Sequence, residues 1–162
     1  MTAEIMFSRY REMKKELALL EMQLAGFKGL TEDDMIESMT FPGQPEGERV
    51  QTSNISDKTC SIALNFRERL QKENTDYYNF LYDRYKELKQ EIDFFEGGIR
   101  MLGGIRADIM FELLDGDLTW DLISEQYNVS RRTIANYRKS AIKDLDLLYA
   151  QREKTEMAYM LS

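Results

Sequence analysis

Apolar residues in the first 27 positions recur at alternating intervals of four and three: Met6, Tyr10, Met13, Leu17, Leu20, Leu24 and Phe27. A second series, Tyr78, Leu81, Tyr85, Leu88, Ile92, Phe95 and Ile99, keeps the same rhythm. Only a helix places residues at that spacing on one side, and a seam of this kind must be covered by another helix. Arg9, Arg11, Glu12, Lys14, Lys15 and Glu16 fall between the first set and suit a wet face. Both prolines, Pro42 and Pro45, lie between the seams and leave the rest of the chain free to be helical. The chain is therefore predicted to be all-α, with long coiled-coil-like helices paired as a helical hairpin or as a dimer. The seams are rich in Tyr, Phe and Met, unlike a long Leu/Ile zipper, so ordinary bundle stripes and pairing between chains both stay open.

The first helix is predicted from about Thr2 to Phe27, with Gly29 ending it. Residues Leu30 to Ser56 hold both prolines and several polar turns, and read as a loop with room for a short helix at Glu32–Ser38. Ser56-Asp57 is a helix start, a capping hydroxyl followed by an acid that favours the positive helix end. This helix runs through Phe66 and Leu70, and Asn74-Thr75-Asp76 either restarts it or is passed through. Gly97-Gly98 is expected to end or kink it. The expected division is a helical coiled-coil or oligomerisation region over 1–98, with its loop at about 29–56, and a second domain over 99–162.

The chemistry open to the chain is narrow. Its 162 residues include no histidine, and Cys60 is the only cysteine. A zinc site of the usual kind, serine–histidine or cysteine–histidine nucleophiles and an internal disulfide are all excluded. The carboxylates alternate with lysines and arginines at helical spacing, as solvated faces do. Gly97-Gly98 and Gly103-Gly104 fit neither nucleotide-binding pattern and are better read as helix breaks. No enzyme activity, catalytic residue, metal or cofactor is expected. No run of about 18 apolar residues exists, and the N-terminus mixes charge with apolar residues as a secretory signal would not. The expected location is cytoplasmic, in a bacterial host or encoded by a prophage.

The informative stretch is Asp115 to Leu145, DGDLTWDLISEQYNVSRRTIANYRKSAIKDL. Gly116 can stop a preceding helix. Thr119 is a good N-cap, Asp121 sits in the first turn, and Leu122, Ile123 and Tyr127 supply an apolar face. Asn128 tolerates the left-handed conformation of a tight turn, Val129 fills the corner and Ser130 caps the next helix. This is the layout of a helix-turn-helix. At about 100° per residue, Ile134, Tyr137, Ala141, Ile142 and Leu145 gather on one side of the second helix. Arg132, Asn136, Lys139 and Lys143 gather on the other, and Arg131 and Arg138 flank the apolar side.

From Ser130 to Lys143 there are five basic residues and no acid, so in a chain of net charge −7 the remainder carries −12. Arg131 and Arg132 stand in the first turn, where the helix dipole disfavours cations by roughly 0.3–1 kcal/mol each. A local rule broken without local compensation often marks a functional site, and a polyanion docking there would compensate. Arginine can read guanine edges and asparagine adenine edges in the major groove, while lysines and flanking arginines more often hold phosphates. The expected DNA-contacting residues are Thr119, Ser130, Arg131, Arg132, Thr133, Asn136, Arg138, Lys139 and Lys143.

This stretch resembles region four of bacterial sigma factors and the related LuxR-type helix-turn-helix. The resemblance rests on Thr119-Trp120, the helix Ile123 to Tyr127, Asn128, Val129-Ser130, the basic helix from Arg131 and the late Ala141-Ile142 pair. Ser124 stands where the pattern has alanine and Asn128 where it has glycine, both small departures. The wider chain is similar to phage or prophage late-gene regulators of the ArpU/RinA type, which carry a segment like VQTSNISDKTCSIAL between an N-terminal helix and a sigma-like motif. The resemblance implies transcription control, with activation of phage late genes. The helix-turn-helix and the heptad seams together lead to the expectation of a sequence-specific regulator that binds double-stranded DNA as a homodimer, its N-terminal helical part setting half-site spacing or touching RNA polymerase. Two alternatives remain: a small terminase-like packaging subunit, and a sigma-like adaptor that binds polymerase and barely touches DNA.

Overall fold

The computed structural model describes residues 2–31 and 57–162, and the side chains of 2–31 and 68–162. Every regular element among the described residues is a helix, as the seam spacing predicts: α1 (Ala3–Ala25), α2 (Asp57–Leu102), α3 (Gly104–Asp115), α4 (Trp120–Tyr127) and α5 (Arg131–Met160). The predicted short helix at Glu32–Ser38 and the predicted cap at Ser56 lie outside the described residues. None of the described helices is long and apolar enough to cross a membrane. Two compact units are present, one formed by residues 1–19 and 85–162, the other by residues 20–84.

In the first unit the two seams meet within one chain. Met6, Tyr10 and Met13 of α1 are buried, as are Leu88, Ile92, Phe95 and Ile99 of α2. The Tyr10 and Phe95 rings lie 6.0 Å apart. Tyr10 Oη donates to Glu96 at 2.8 Å, and Lys14 and Arg100 reach the same carboxylate at 3.2 Å and 3.0 Å. Burial alone would raise the Glu96 carboxyl, but the hydrogen bonds from Tyr10 and Lys14 hold it below the usual carboxylate range. Burial, reinforced by the Glu96 charge, pushes the Tyr10 phenol up.

The second unit repeats the pairing with different chemistry. Phe27 stands 6.1 Å from the Tyr77 ring and 5.3 Å from Tyr78. Leu30 N–H donates to Asn74 Oδ1 at 2.6 Å, and Asn74 Nδ2 returns a bond to the Leu30 carbonyl at 3.2 Å. The partner's numbers fall as those of α1 and its extension rise, so the pairing here is antiparallel. The helix passes through Asn74-Thr75-Asp76, with Thr75 Oγ1 bonded to the Gln71 carbonyl one turn back.

Gly97-Gly98 does not end α2, one of the two outcomes expected from the sequence. The helix continues to Leu102, and the break comes at Gly103 and Gly104, both at positive φ (69° and 54°). The physical reason lies across the core. A Cβ on Gly98 would sit 2.6 Å from Leu145 Cδ2 and 3.3 Å from Leu148 Cδ1 of α5. Glycine serves here for close helix approach, and the buried residues Phe95 and Ile99 hold the helix through it.

Helix α3 ends as expected at Gly116, in the left-handed conformation at φ 66°, with its N–H on the Glu112 carbonyl. Helices α3, α4 and α5 then pack on one another around Ile109, Ile123 and Ile134, each fully buried. Leu113, Leu118, Tyr127, Val129 and Tyr137 close the margins of that cluster.

Candidate nucleic-acid interface

The site is built on α4, a three-residue turn and the first half of α5. Thr119 is extended and its hydroxyl accepts from Leu122 N–H at 3.4 Å, which starts α4. Asn128 ends it at φ 50°, ψ 45°, the only described non-glycine residue at positive φ. Its N–H bonds the Glu125 carbonyl, and Val129 N–H bonds that of Ser124 at 3.1 Å. Ser124 Oγ donates to the Val129 carbonyl at 2.5 Å, so the hydroxyl that departs from alanine in the sequence pattern ties the turn shut. Val129 turns into the three-helix cluster. Ser130 is extended, and its Oγ accepts from Thr133 N–H at 3.1 Å and lies 2.9 Å from Thr133 Oγ1. Thr119, Ser130 and Thr133 therefore act first as helix-starting residues.

The turn sets the direction of α5, and burial sets its rotation. Ile134, Ala141, Leu145 and Tyr149 are buried, with Tyr137 and Ile142 half-buried beside them. Arg106 of α3 braces the flank, donating to Ser140 at 2.9 Å and to Asp144 at 2.8 Å. Tyr127 Oη on α4 bonds Glu112 of α3 at 3.2 Å, and burial together with that carboxylate raises its phenol. With the opposite face committed to packing, Arg132, Asn136, Lys139 and Lys143 are all exposed. At about 100° per residue these four fall within an arc of roughly 60°. No hydrogen bond or ion pair with another described side chain engages them.

Two of the predicted cationic site residues are ion-paired to carboxylates of the protein. Arg131 donates through Nε and Nη2 to the two carboxylate oxygens of Asp121, in the first turn of α4. The first-turn cation at Arg131 is thus compensated locally, contrary to the charge argument from sequence, whereas Arg132 has no such partner among the described residues. The hydrogen bond to Arg131 lowers the Asp121 carboxyl pKa, and the same bond raises that of the Arg131 guanidinium. Arg138 meets Glu4 of α1 at 2.7 Å, and its guanidinium lies 4.8 Å from the centre of the Phe7 ring. It pins the N-terminal helix to α5, together with Ala3 N–H, which donates to Asp146 at 2.8 Å.

Sequence reasoning missed Asp121 as a partner of Arg131, and Glu4 and Phe7 as partners of Arg138. For Asp121 a signal existed: an acid in the first turn of one helix and a cation in the first turn of the next, across a three-residue turn. No local signal links Glu4 to Arg138. Among the described residues, no group of three His, Cys, Asp or Glu side chains could hold a metal ion. The arrangement offers hydrogen-bond donors and positive charge on one helix face, a surface chemically suited to a polyanion. In comparisons with known proteins, no family model, no curated protein and no solved structure matches the chain.

Proposed function

We propose that this protein is a sequence-specific DNA-binding regulator of transcription, with the first half of α5 as the helix that enters the major groove. The observation that carries the reading is the alignment of Arg132, Asn136, Lys139 and Lys143 on the exposed face of a helix whose other face is packed against α3 and α4. A B-DNA major groove about 12 Å wide admits one α-helix, and residues near the helix N-terminus reach base edges. Arg132 and Asn136 occupy that end and carry the two side chains best suited to guanine and adenine. Lys139 and Lys143 follow along the same stripe and neutralise phosphates. The resemblance of residues 119–142 to sigma region four, and of the wider chain to phage late-gene regulators of the ArpU/RinA type, supports the transcriptional role. A homodimer and a contact with RNA polymerase belong to the same proposal.

Selection of bound fragments from a pool of random duplexes tests binding, specificity and site symmetry together. On the selected site, Arg132→Ala and Asn136→Ala each weaken binding by roughly 1–3 kcal/mol, with the loss confined to particular base pairs. Lys143→Ala weakens all duplexes alike and lowers the salt slope by about 1. Enrichment of no sequence from the pool, or an Arg132→Ala variant that binds the selected site as the wild type does, refutes the assignment.

A further inference from the structure

We infer that the Arg131–Asp121 pair is a preset guanine-reading fork, so that Arg131 contributes to discrimination between sequences more than to general affinity for DNA. The inference rests on the DNA-binding reading above and goes beyond it, because sequence reasoning placed Arg131 among the flanking cations.

Asp121 engages Nε and Nη2, the side edge of the guanidinium. The end edge, one N–H from Nη1 and one from Nη2 pointing away from the chain, is left for another acceptor pair. Two parallel donors at that spacing match the O6 and N7 acceptors of guanine in the major groove. Both side chains are 63% exposed, so the end edge is accessible. Arg131 is the first residue of α5, the end of the helix that reaches deepest into a groove.

The pair is also anchored at both ends. Asp121 stands in the first turn of a helix capped by Thr119, and Arg131 opens a helix capped by Ser130. The turn between them is closed by Ser124 on the Val129 carbonyl and by Asn128 in its left-handed conformation. The plane of the guanidinium is therefore set before any ligand arrives, and less rotamer freedom is lost on docking.

Charge separates this role from phosphate binding. A phosphate meeting Arg131 would also meet the Asp121 carboxylate, which offsets most of the attraction. A base edge is neutral and is recognised by the direction of the donors, which Asp121 sharpens. Lys139 and Lys143 have no acid paired with them among the described residues and supply the attraction that is common to all sequences.

The test uses the full chain, the duplex selected from the random pool and an unrelated duplex of equal length, titrated at several salt concentrations. Arg131→Lys keeps the charge but loses the fork. It is expected to weaken the selected duplex about 5- to 150-fold, the range of one bidentate base contact, while the unrelated duplex changes less than about twofold. Asp121→Asn removes a negative charge and the brace. It is expected to tighten the unrelated duplex and to narrow the ratio between the two. Methylation of guanine N7 supplies an independent readout: one guanine whose methylation blocks wild-type binding becomes indifferent in Arg131→Ala. Loss on both duplexes alike, with a shallower salt slope in Arg131→Ala, makes Arg131 a phosphate contact and overturns the proposal. Unchanged binding of both duplexes by Arg131→Lys and Asp121→Asn makes the pair purely structural, which also overturns it. In either case the wild type still selects a sequence, so the DNA-binding reading survives. A wild type that selects none removes both.

Discussion

Two adjacent glycines in the middle of α2 should respond to the same substitution with opposite signs. Alanine is favoured over glycine in a helix interior by roughly 0.8–1 kcal/mol, because the unfolded chain loses conformational freedom and the helix gains a side chain. At Gly97 a Cβ meets nothing within 4 Å, so Gly97→Ala should stabilise the protein by about 0.5–1 kcal/mol. At Gly98 the Cβ would lie 2.6 Å from Leu145 Cδ2, about 1 Å inside ordinary carbon–carbon contact, and 3.3 Å from Leu148 Cδ1. Leu145 is 1% exposed and cannot swing aside without disturbing the packed interior. Forcing a methyl group into such a core costs typically 1–3 kcal/mol. Subtracting the helix gain leaves Gly98→Ala destabilised by about 1 kcal/mol, and separates the two variants by about 2 kcal/mol. Urea unfolding followed by circular dichroism reads this as midpoints that move in opposite directions with the slope unchanged. Equal stabilisation of both variants would show that α5 does not press against α2 at Gly98, and the packing argument would fail.

Three further outcomes follow from the core. Ile134→Ala empties the centre of the α3–α4–α5 cluster and should cost roughly 2–5 kcal/mol in the same unfolding assay. Tyr149 Oη is buried with no hydrogen-bond partner among the described residues, so Tyr149→Phe should leave the protein at least as stable, with a gain of up to about 1 kcal/mol in thermal or urea unfolding. Glu96 has a folded pKa held below its unfolded value of about 4.3, so its contribution is present above that pH and is lost as pH falls through the folded pKa. Glu96→Gln should therefore flatten the fall in unfolding free energy below about pH 4.3, and an unchanged acid limb would show that the Tyr10–Glu96–Lys14 cluster does not couple protonation to folding.

Most of the helical organisation is legible in the residues because its causes are local. The seam Met6, Tyr10, Met13 and the seam Leu88, Ile92, Phe95, Ile99 announce their buried sides by spacing. Thr119, Asn128 and Ser130 announce the turn because each acts on backbone groups within a few residues of itself. The exposure of Arg132, Asn136, Lys139 and Lys143 follows from the same periodicity once Ile134 and Ala141 are taken as buried. Gly97-Gly98 misled for a corresponding reason. Read locally, a glycine pair weakens a helix, and nothing nearby in sequence says that Leu145 will arrive beside it.

What this chain's residues determined by themselves was where α3 ends, where α4 and α5 start and which stripe of each turns inward, since capping and periodicity act over one or two turns. What only the tertiary structure decided was which cations remain available. Arg131 and Arg138 look like their neighbours in the sequence, yet one is held by Asp121 and the other by Glu4, the latter 134 positions away. Ion pairing depends on distance in space, and that distance is set by the packing of α1, α4 and α5, which no short stretch of chain encodes.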